Sequence, residues 1–435
     1  MLAGLEITGR RSRTAPSGPE LLDYTLEESL EELQALAESA GAEVAARVLQ
    51  SRPSADAATL IGSGKVEELR ATVLAAGASL VIFDQELTPT QLRNLERALD
   101  CRVIDRTQLI LDIFARRART REGQLQVELA QLNYLLPRLT GRGIEMSRLG
   151  GGIGARGPGE TQLETDRRRI ARRIRKLESD LEAVRASRST QRRQRQSVPL
   201  PAVAMVGYTN AGKSTLFNRL TGAGVLADPR LFATLDPTVR AVVLPSRRRI
   251  LFSDTVGFIR NLPATLVRAF RATLEEVIEA SLLLHVVDVS SPHARHQTAH
   301  VLKVLAEIGA GETPQVLVLN KADLLPEGDA DAEAVSRRIL GDAAPGLPQR
   351  AVVVSALSGQ GLDRLLASVD EALPFDPVTR VRLVIPVSEG ALLHLLHERA
   401  RVLSQRYVAD QCEIDAEVPE SMMPQVAGFQ VRAAE

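Results

Sequence analysis

The chain contains no tryptophan, and aromatic residues make up only 3% of it. Cysteine is nearly absent as well. Cys101 and Cys412 lie far apart and neither belongs to a C-x-x-C pair, which excludes a disulfide framework and a cysteine metal site. Long apolar runs are missing. The longest, from Ser281 to Val289, is too short and too polar to span a bilayer, and no signal-peptide pattern follows Met1. Nothing in the sequence anchors the chain to a membrane. Net charge is also lacking: 54 basic residues balance 54 acidic ones, which excludes a uniformly basic nucleic-acid binder but permits a local basic face. No internal repeat of fixed period is present. What remains is a chain long enough for two to four domains, with 44% hydrophobic residues to supply a core for each.

A local basic face is indeed present. Arg167, Arg168, Arg169, Arg172, Arg173, Arg175 and Lys176 crowd one segment, and Arg185, Arg188, Arg192, Arg193 and Arg195 continue it. Leu163, Ile170, Ile174, Leu177, Leu181 and Val184 recur there at helical spacing, so the segment reads as an amphipathic helix with an arginine-rich outer face. Upstream, Leu125, Leu129, Leu132 and Leu136 form a second stripe. Together they predict an antiparallel helical hairpin over 121–198. Its loop, from Gly141 to about Glu160, holds eight glycines and Arg142, Arg148 and Arg156, which suit RNA phosphates and splayed bases. A solvated coiled-coil face is the plainer account of the helix arginines.

The strongest signal starts at Gly207. The run Gly207, Tyr208, Thr209, Asn210, Ala211, Gly212, Lys213 and Ser214 follows the apolar stretch Val203–Val206 and precedes Thr215 and a helical pattern, the context a phosphate-binding loop requires. Gly207 and Gly212 let the backbone wrap a phosphate. Lys213 reaches the β/γ oxygens, and Ser214 ligates Mg²⁺. Asn320, Lys321 and Asp323 then select the nucleotide. A carboxylate at Asp323 accepts from both N1–H and N2–H₂ of guanine, a donor pair adenine lacks. Asn320 closes the loop, the Lys321 stem lies over the base plane, and Ser355, Ala356 and Leu357 after the strand 351–354 can offer the Ala356 N–H to guanine O6. Between these anchors come Phe232, Ala233, Thr234, Leu235 and Asp236, then Asp254, Thr255, Val256 and Gly257, all expected to line the nucleotide. Asp254 would hold Mg²⁺ through its water shell, and Thr234 would ligate it directly when a γ-phosphate is present. The Gly257 N–H would bond that phosphate. The candidate catalytic residues are therefore Lys213, Thr234 and Gly257, and the candidate metal ligands Ser214 and Thr234.

Phe258 stands where many signalling GTPases carry the glutamine that orients water. A phenyl ring cannot do so, which implies slow intrinsic hydrolysis until a partner or ion completes the site. Asn210 reads equally as a plain loop asparagine and as a K⁺ ligand, since potassium-activated GTPases carry asparagine there.

These motifs resemble the HflX family of ribosome-associated GTPases, in the Obg–HflX superfamily. The likeness extends to Ile61–Val66, Phe83–Leu87, Val103–Thr107 and the segment from Gly150 to Gln162, so it covers nearly the whole chain. It implies a GTPase with Mg²⁺ as cofactor that binds the large ribosomal subunit and its RNA. Splitting or rescue of stalled or idle ribosomes, and hydrolysis stimulated by the ribosome, are implied too. It further implies ATP bound at the N-terminal domain. Composition fits a cytoplasmic protein, and a monomer, in part membrane-associated, is the expectation. Two alternatives stay open: a ribosome-assembly or RNA-modification GTPase, and a GTP-loaded scaffold that hardly hydrolyses. A KH-like G-x-x-G domain after Pro374 would favour the first, and none is found.

The expected fold is α/β. A flexible tail (1–20) leads to a small parallel α/β domain (21–120), the hairpin (121–198), a GTPase domain with a mostly parallel six-stranded sheet (199–374) and a βαβ-like cap (375–435). Gly62-Ser-Gly-Lys65 opens a helix and is a candidate for the second nucleotide, although it lacks phosphate-loop spacing. His293, His296 and His300 can share a helix face and so ligate zinc, or be three exposed polar residues.

Overall fold

The computed structural model describes residues 1–8, 25–139, 162–196, 200–224, 231–232, 234–260, 271–325, 331–340, 350–373, 378–408 and 410–431. The glycine-rich loop after Gly141 lies outside them.

The N-terminal domain is a four-stranded parallel sheet in the order β2-β1-β3-β4, with β1 Leu2–Ile7, β2 Arg47–Arg52, β3 Leu80–Phe83 and β4 Arg102–Asp105. This corrects the expected flexible tail: residues 2–7 are a central strand. The segment is short and carries Ala3 and Gly4, so its strand pattern is faint. Gly4 packs tightly under the helix that starts at Leu26, where a Cβ would come within 3.0 Å of Leu26 Cδ1. Helices α1 (Leu26–Ser39), α2 (Ser63–Ala76), α3 (Pro89–Leu99) and α4 (Arg106–Arg117) cover the sheet. Their starts follow the capping rules. Thr25 with Glu28 and Thr88 with Gln91 form capping boxes, Pro89 sits in the first turn of α3, and Asp105 accepts from the Gln108 N–H. Leu30, Leu33, Leu36, Ile110 and Phe114 are fully buried, each side chain worth about 1.5–3 kcal/mol on transfer from water.

Helix α5 (Arg121–Leu135), capped by Thr120, and the long α6 (Gln162–Gln196) pack through Leu125, Leu177 and Leu181, with Leu129, Leu132 and Val184 alongside. Arg173 pairs with Glu128 at 2.6 Å across them. Arg167, Arg168, Arg169, Arg172, Arg175 and Lys176 are exposed, as the expected amphipathic pattern requires.

The GTPase sheet has the order β10-β9-β8-β5-β7-β6. Its strands are β5 Ala202–Gly207, β6 Thr238–Val243, β7 Arg249–Asp254, β8 Leu282–Asp288, β9 Gln315–Asn320 and β10 Arg350–Val353. β6 runs antiparallel to β7 and the remaining pairs are parallel. The mostly parallel sheet is flanked by α7 (Lys213–Thr221), α8 (Arg271–Ile278), α9 (Ala294–Glu307), α10 (Ala332–Leu340) and α11 (Leu362–Ala372). β5 sits inside the sheet, and ligands of such folds bind beyond the carboxyl ends of the strands. The N-terminal and GTPase parts form one compact unit, and one cluster of buried residues runs from Leu30 and Phe114 to Phe232, Leu235, Val256 and Phe258.

Residues 195–199 and 373–435 make a second unit. Its sheet is antiparallel, β11 (Val378–Pro386) and β12 (Arg401–Val408) flanking β13 (Gln411–Pro419), with α12 (Gly390–Arg399) packed on it. The βαβ-like cap is thereby corrected. α12 ends at Arg399, and the β-branched and polar stretch Val402–Val408 that follows pairs with β13, so two antiparallel strands follow the helix where the βαβ reading has one. Among the described residues no helix is long and apolar enough to cross a membrane.

Candidate functional site

At the end of β5, Gly207 adopts φ +149°, and a Cβ there would collide with the Val286 carbonyl, so the strand can leave the sheet only at glycine. The loop is then laced to the strand end opposite. Thr209 N–H donates to the Phe258 carbonyl (2.8 Å) and Phe258 N–H to the Gly207 carbonyl (3.1 Å). Phe258 is 2% exposed. The residue in the glutamine position is thus a structural clamp, its backbone bonded to the loop and its ring buried in the core. Asn210 takes φ +62° and is exposed. Gly212, at φ +94°, opens α7. A Cβ there would strike Asn320 Nδ2.

Lys213 is buried, and its ammonium donates to the carbonyls of Tyr208 (2.8 Å) and Gly207 (3.2 Å). Burial pushes its pKa down to about 8, with Asp254 opposing. Gly257 stands directly against it: a Cβ would come within 2.9 Å of Lys213 Nζ. Three oxygens converge beside this lysine. Ser214 Oγ lies 2.7 Å from Thr234 Oγ1, and both hydroxyls donate to Asp254 Oδ2, at 2.7 and 2.9 Å. Asp254 Oδ1 is buried without a hydrogen-bond partner among the described residues, and burial raises the pKa of its carboxyl. A hard cation fits such a donor set, since it would satisfy the orphaned oxygen and stabilise the charge. Thr255 Oγ1 donates to the Met205 carbonyl at 2.5 Å, and Val256 is buried. Thr215 is half-buried on α7.

The residues expected to select the base come together from the ends of β9 and β10. Asn320 Nδ2 donates to the Ala211 carbonyl (2.8 Å), and its Oδ1 accepts from the Ala356 N–H (3.0 Å), stitching the phosphate loop to the 355–357 loop. Asn320 therefore acts as a brace, and it takes the Ala356 N–H expected for guanine O6. Ser355 Oγ donates to Asp323 Oδ1 at 2.6 Å, which orients the carboxylate. Lys321 sits at φ +66° with Nζ 2.6 Å from Asp288. Leu357 is exposed and its carbonyl accepts from Arg219.

Other expected site residues are engaged elsewhere. Phe232 packs edge-on to Phe114 at 4.6 Å, and Leu235 is buried in the shared core. Asp236 spends its carboxylate on the start of α5, accepting from the N–H groups of Arg119 and Thr120. Ala233 lies outside the described residues. Gly62 precedes α2 as expected, but Gln50 takes its N–H and Glu68 pairs with Lys65, so the geometry is that of a helix start. The histidines do not converge: His293 pairs with Glu28, and His300 Nε2 lies 3.1 Å from the Ile259 carbonyl. They are half-buried rather than exposed, and no metal-binding group of three His, Cys, Asp or Glu side chains occurs among the described residues.

A buried polar network went unread in the sequence. The Tyr208 hydroxyl donates to Glu32 and accepts from the Arg260 N–H (3.0 Å). Arg106, 2% exposed, pairs with Glu32 and with Asp84 at 2.8 Å, while Arg260 reaches Ser29 and lies 3.9 Å from Asp84. Asp84 follows β3 and Arg106 follows β4, so the available signal was a charged residue just past an apolar strand.

Three family models match in succession: "GTP-binding GTPase N-terminal" over 27–115, "GTP-binding GTPase Middle Region" over 117–195 and "50S ribosome-binding GTPase" over 202–321. The GTPase HflX of Caldanaerobacter subterraneus is 49% identical over 90% of this chain and 88% of its own length. The chain belongs to the HflX family of GTPases. The GTPase HflX of Escherichia coli is 47% identical, over 84% of this chain and 83% of that one. Among solved structures, the SsGBP and GDP complex is 27% identical and covers 85% of this chain and 97% of that chain, with a TM-score of 0.46. As an HflX-family protein with an intact phosphate-loop domain, the chain is an enzyme that hydrolyses GTP.

Proposed function

We propose that this HflX-family GTPase acts in the cytoplasm as a monomer, binding the large ribosomal subunit and using GTP to split or rescue stalled or idle ribosomes. The observation that supports the ribosomal part is α6, which exposes Arg167, Arg168, Arg169, Arg172, Arg175 and Lys176 while its apolar stripe is held by α5. Such a face neutralises RNA phosphates without reading sequence. In the site, Asp323 and Asn320 select and frame guanine, Lys213 stabilises charge on the β/γ-phosphates, and the Gly257 N–H bonds the γ-phosphate. Mg²⁺ would be held by the Ser214 and Thr234 hydroxyls, with Asp254 behind its water shell, and when bound neutralises phosphate charge. With Phe258 clamped in the core, no side chain at that position orients water, so hydrolysis by the free protein is slow and the ribosome raises it.

Co-sedimentation with separated subunits and a non-hydrolysable GTP analogue tests this reading directly. Binding to neither subunit removes the ribosomal assignment, and hydrolysis that stays slow and indifferent to ribosomes favours the scaffold alternative. Replacing Arg167, Arg168 and Arg172 with glutamine is expected to weaken binding gradually and to flatten its salt dependence, by roughly one unit of log–log slope per lost phosphate contact.

Potassium belongs to the same proposal. Asn210 is exposed at the loop crest in a left-handed conformation, where its amide oxygen can help hold a monovalent cation beside the phosphates. Hydrolysis is then faster in K⁺ than in Na⁺, and Asn210→Ala erases the difference. Equal rates in both salts for the parent protein would rule the cation out.

A further inference from the structure

The segment carrying Thr234 is fastened to the N-terminal domain on both sides of that residue. Before it, the Leu231 carbonyl accepts from Ser39 Oγ on α1 (3.0 Å), and Phe232 is 2% exposed with its ring set at 79° against Phe114 on α4. Phe232 adopts φ +60°, a left-handed conformation that a bulky aromatic holds only where its surroundings impose it. After Thr234, Asp236 closes the N-terminus of α5. One carboxylate oxygen accepts the N–H groups of Arg119 and Thr120, each at 2.9 Å, and the other accepts the Thr120 hydroxyl. Thr120 is itself the cap of that helix, its Oγ1 accepting the Gly123 N–H at 3.0 Å. Between these two fastenings, Thr234 Oγ1 reaches Ser214 and Asp254.

We propose that Asp236 is a positioning residue for Thr234: by binding the N-cap Thr120 and the preceding Arg119 N–H it ties the Thr234 segment to the N-terminal domain, so that GTP-dependent closure and the start of the helical hairpin form one coupled element. The inference rests on the nucleotide site proposed above. A threonine that must stop at a fixed point between Ser214 and Asp254 loses less freedom on closing when its flanks are already held. An acidic side chain at a helix N-terminus is favoured by the free N–H groups and by the helix dipole, which gives the fastening a direction and a charge requirement. Linkage then works both ways: whatever stabilises the closed segment stabilises the α5 cap, and whatever disturbs α5 disturbs closure.

Two substitutions in the full-length protein separate this role from plain stability. In Gly123→Ala the new Cβ falls on Asp236 Oδ1, while alanine is otherwise the better helix former. Asp236→Asn keeps the size and removes the charge. Affinities are measured in Mg²⁺ for GDP and for a non-hydrolysable GTP analogue. Both variants are expected to bind the analogue about five- to tenfold more weakly, the scale of losing one charged cap, and Gly123→Ala to keep its GDP affinity within about twofold. The analogue-to-GDP ratio is the readout. An unchanged ratio in both variants overturns the proposal. So does a parallel loss of both affinities with a lowered unfolding temperature, which would mark the cap as structural only. If the parent protein binds neither guanine nucleotide, the nucleotide-site reading fails instead, and the two failures are distinguishable.

Discussion

Asp323→Asn is expected to weaken GTP and GDP binding by about tenfold or more, a single polar mismatch being worth ~1–3 kcal/mol, while improving binding of xanthosine nucleotides. The structure sharpens the reason. Ser355 Oγ donates to Asp323 Oδ1 at 2.6 Å, and an asparagine there keeps its oxygen toward Ser355 and turns its NH₂ toward the base. Guanine then presents a donor to a donor, whereas xanthine presents an oxygen. Competition among GDP, XDP and ADP against a labelled nucleotide measures the exchange. If ADP competes as well as GDP against the parent protein, the guanine assignment to Asp323 is wrong.

The second large effect is at Lys213. Lys213→Ala is expected to lower single-turnover hydrolysis by about 10²–10³, the scale of removing one preorganised charge-stabilising donor from a water-excluded site. The ammonium sits in that site already, buried against the Tyr208 and Gly207 carbonyls, and a phosphate beside it restores the charge that burial disfavours. Lys213→Arg should not rescue. Gly257 stands against the lysine head, as the 2.9 Å approach of a Cβ at Gly257 to Nζ shows, and a planar guanidinium needs more room. A Lys213→Ala protein that hydrolyses within about threefold of the parent would remove the lysine from the mechanism.

The phosphate loop and the residues from Asn320 to Asp323 were legible in the sequence because each is contiguous. A strand, a turn that only glycine can make and a helix N-terminus lie within a few residues of one another, and the chemistry is carried by backbone geometry that local sequence dictates. The basic helix was legible for a similar reason: Leu177 and Leu181 recur at helical period, and the arginines between them must face out. Where several local readings were possible, the expectations went astray. Leu2–Ile7 looks like a tail until β2 and β3 pair on either side of it, and Val402–Val408 looks like a helix end until β13 gives it a partner. Strand assignment depends on what lies alongside, and the neighbours are far away in the chain.

The same distinction runs through the site. Motif order and spacing determined that the chain is a GTP hydrolase built on a mostly parallel sheet, and they single out Lys213, Ser214, Asp254 and Asp323 as the groups proposed to carry its chemistry. Only the tertiary structure decided what the flanking residues do. Phe232 and Asp236 sit in the switch motif, yet their partners are Phe114 and Thr120. Tyr208 lies in the phosphate loop and finds Glu32, and Arg260 finds Ser29. No local rule pairs residues separated by a hundred or more positions. Those contacts exist because the N-terminal sheet and its helices pack their apolar faces against the switch side of the GTPase domain, and packing at that range is settled by shape and burial over the whole surface.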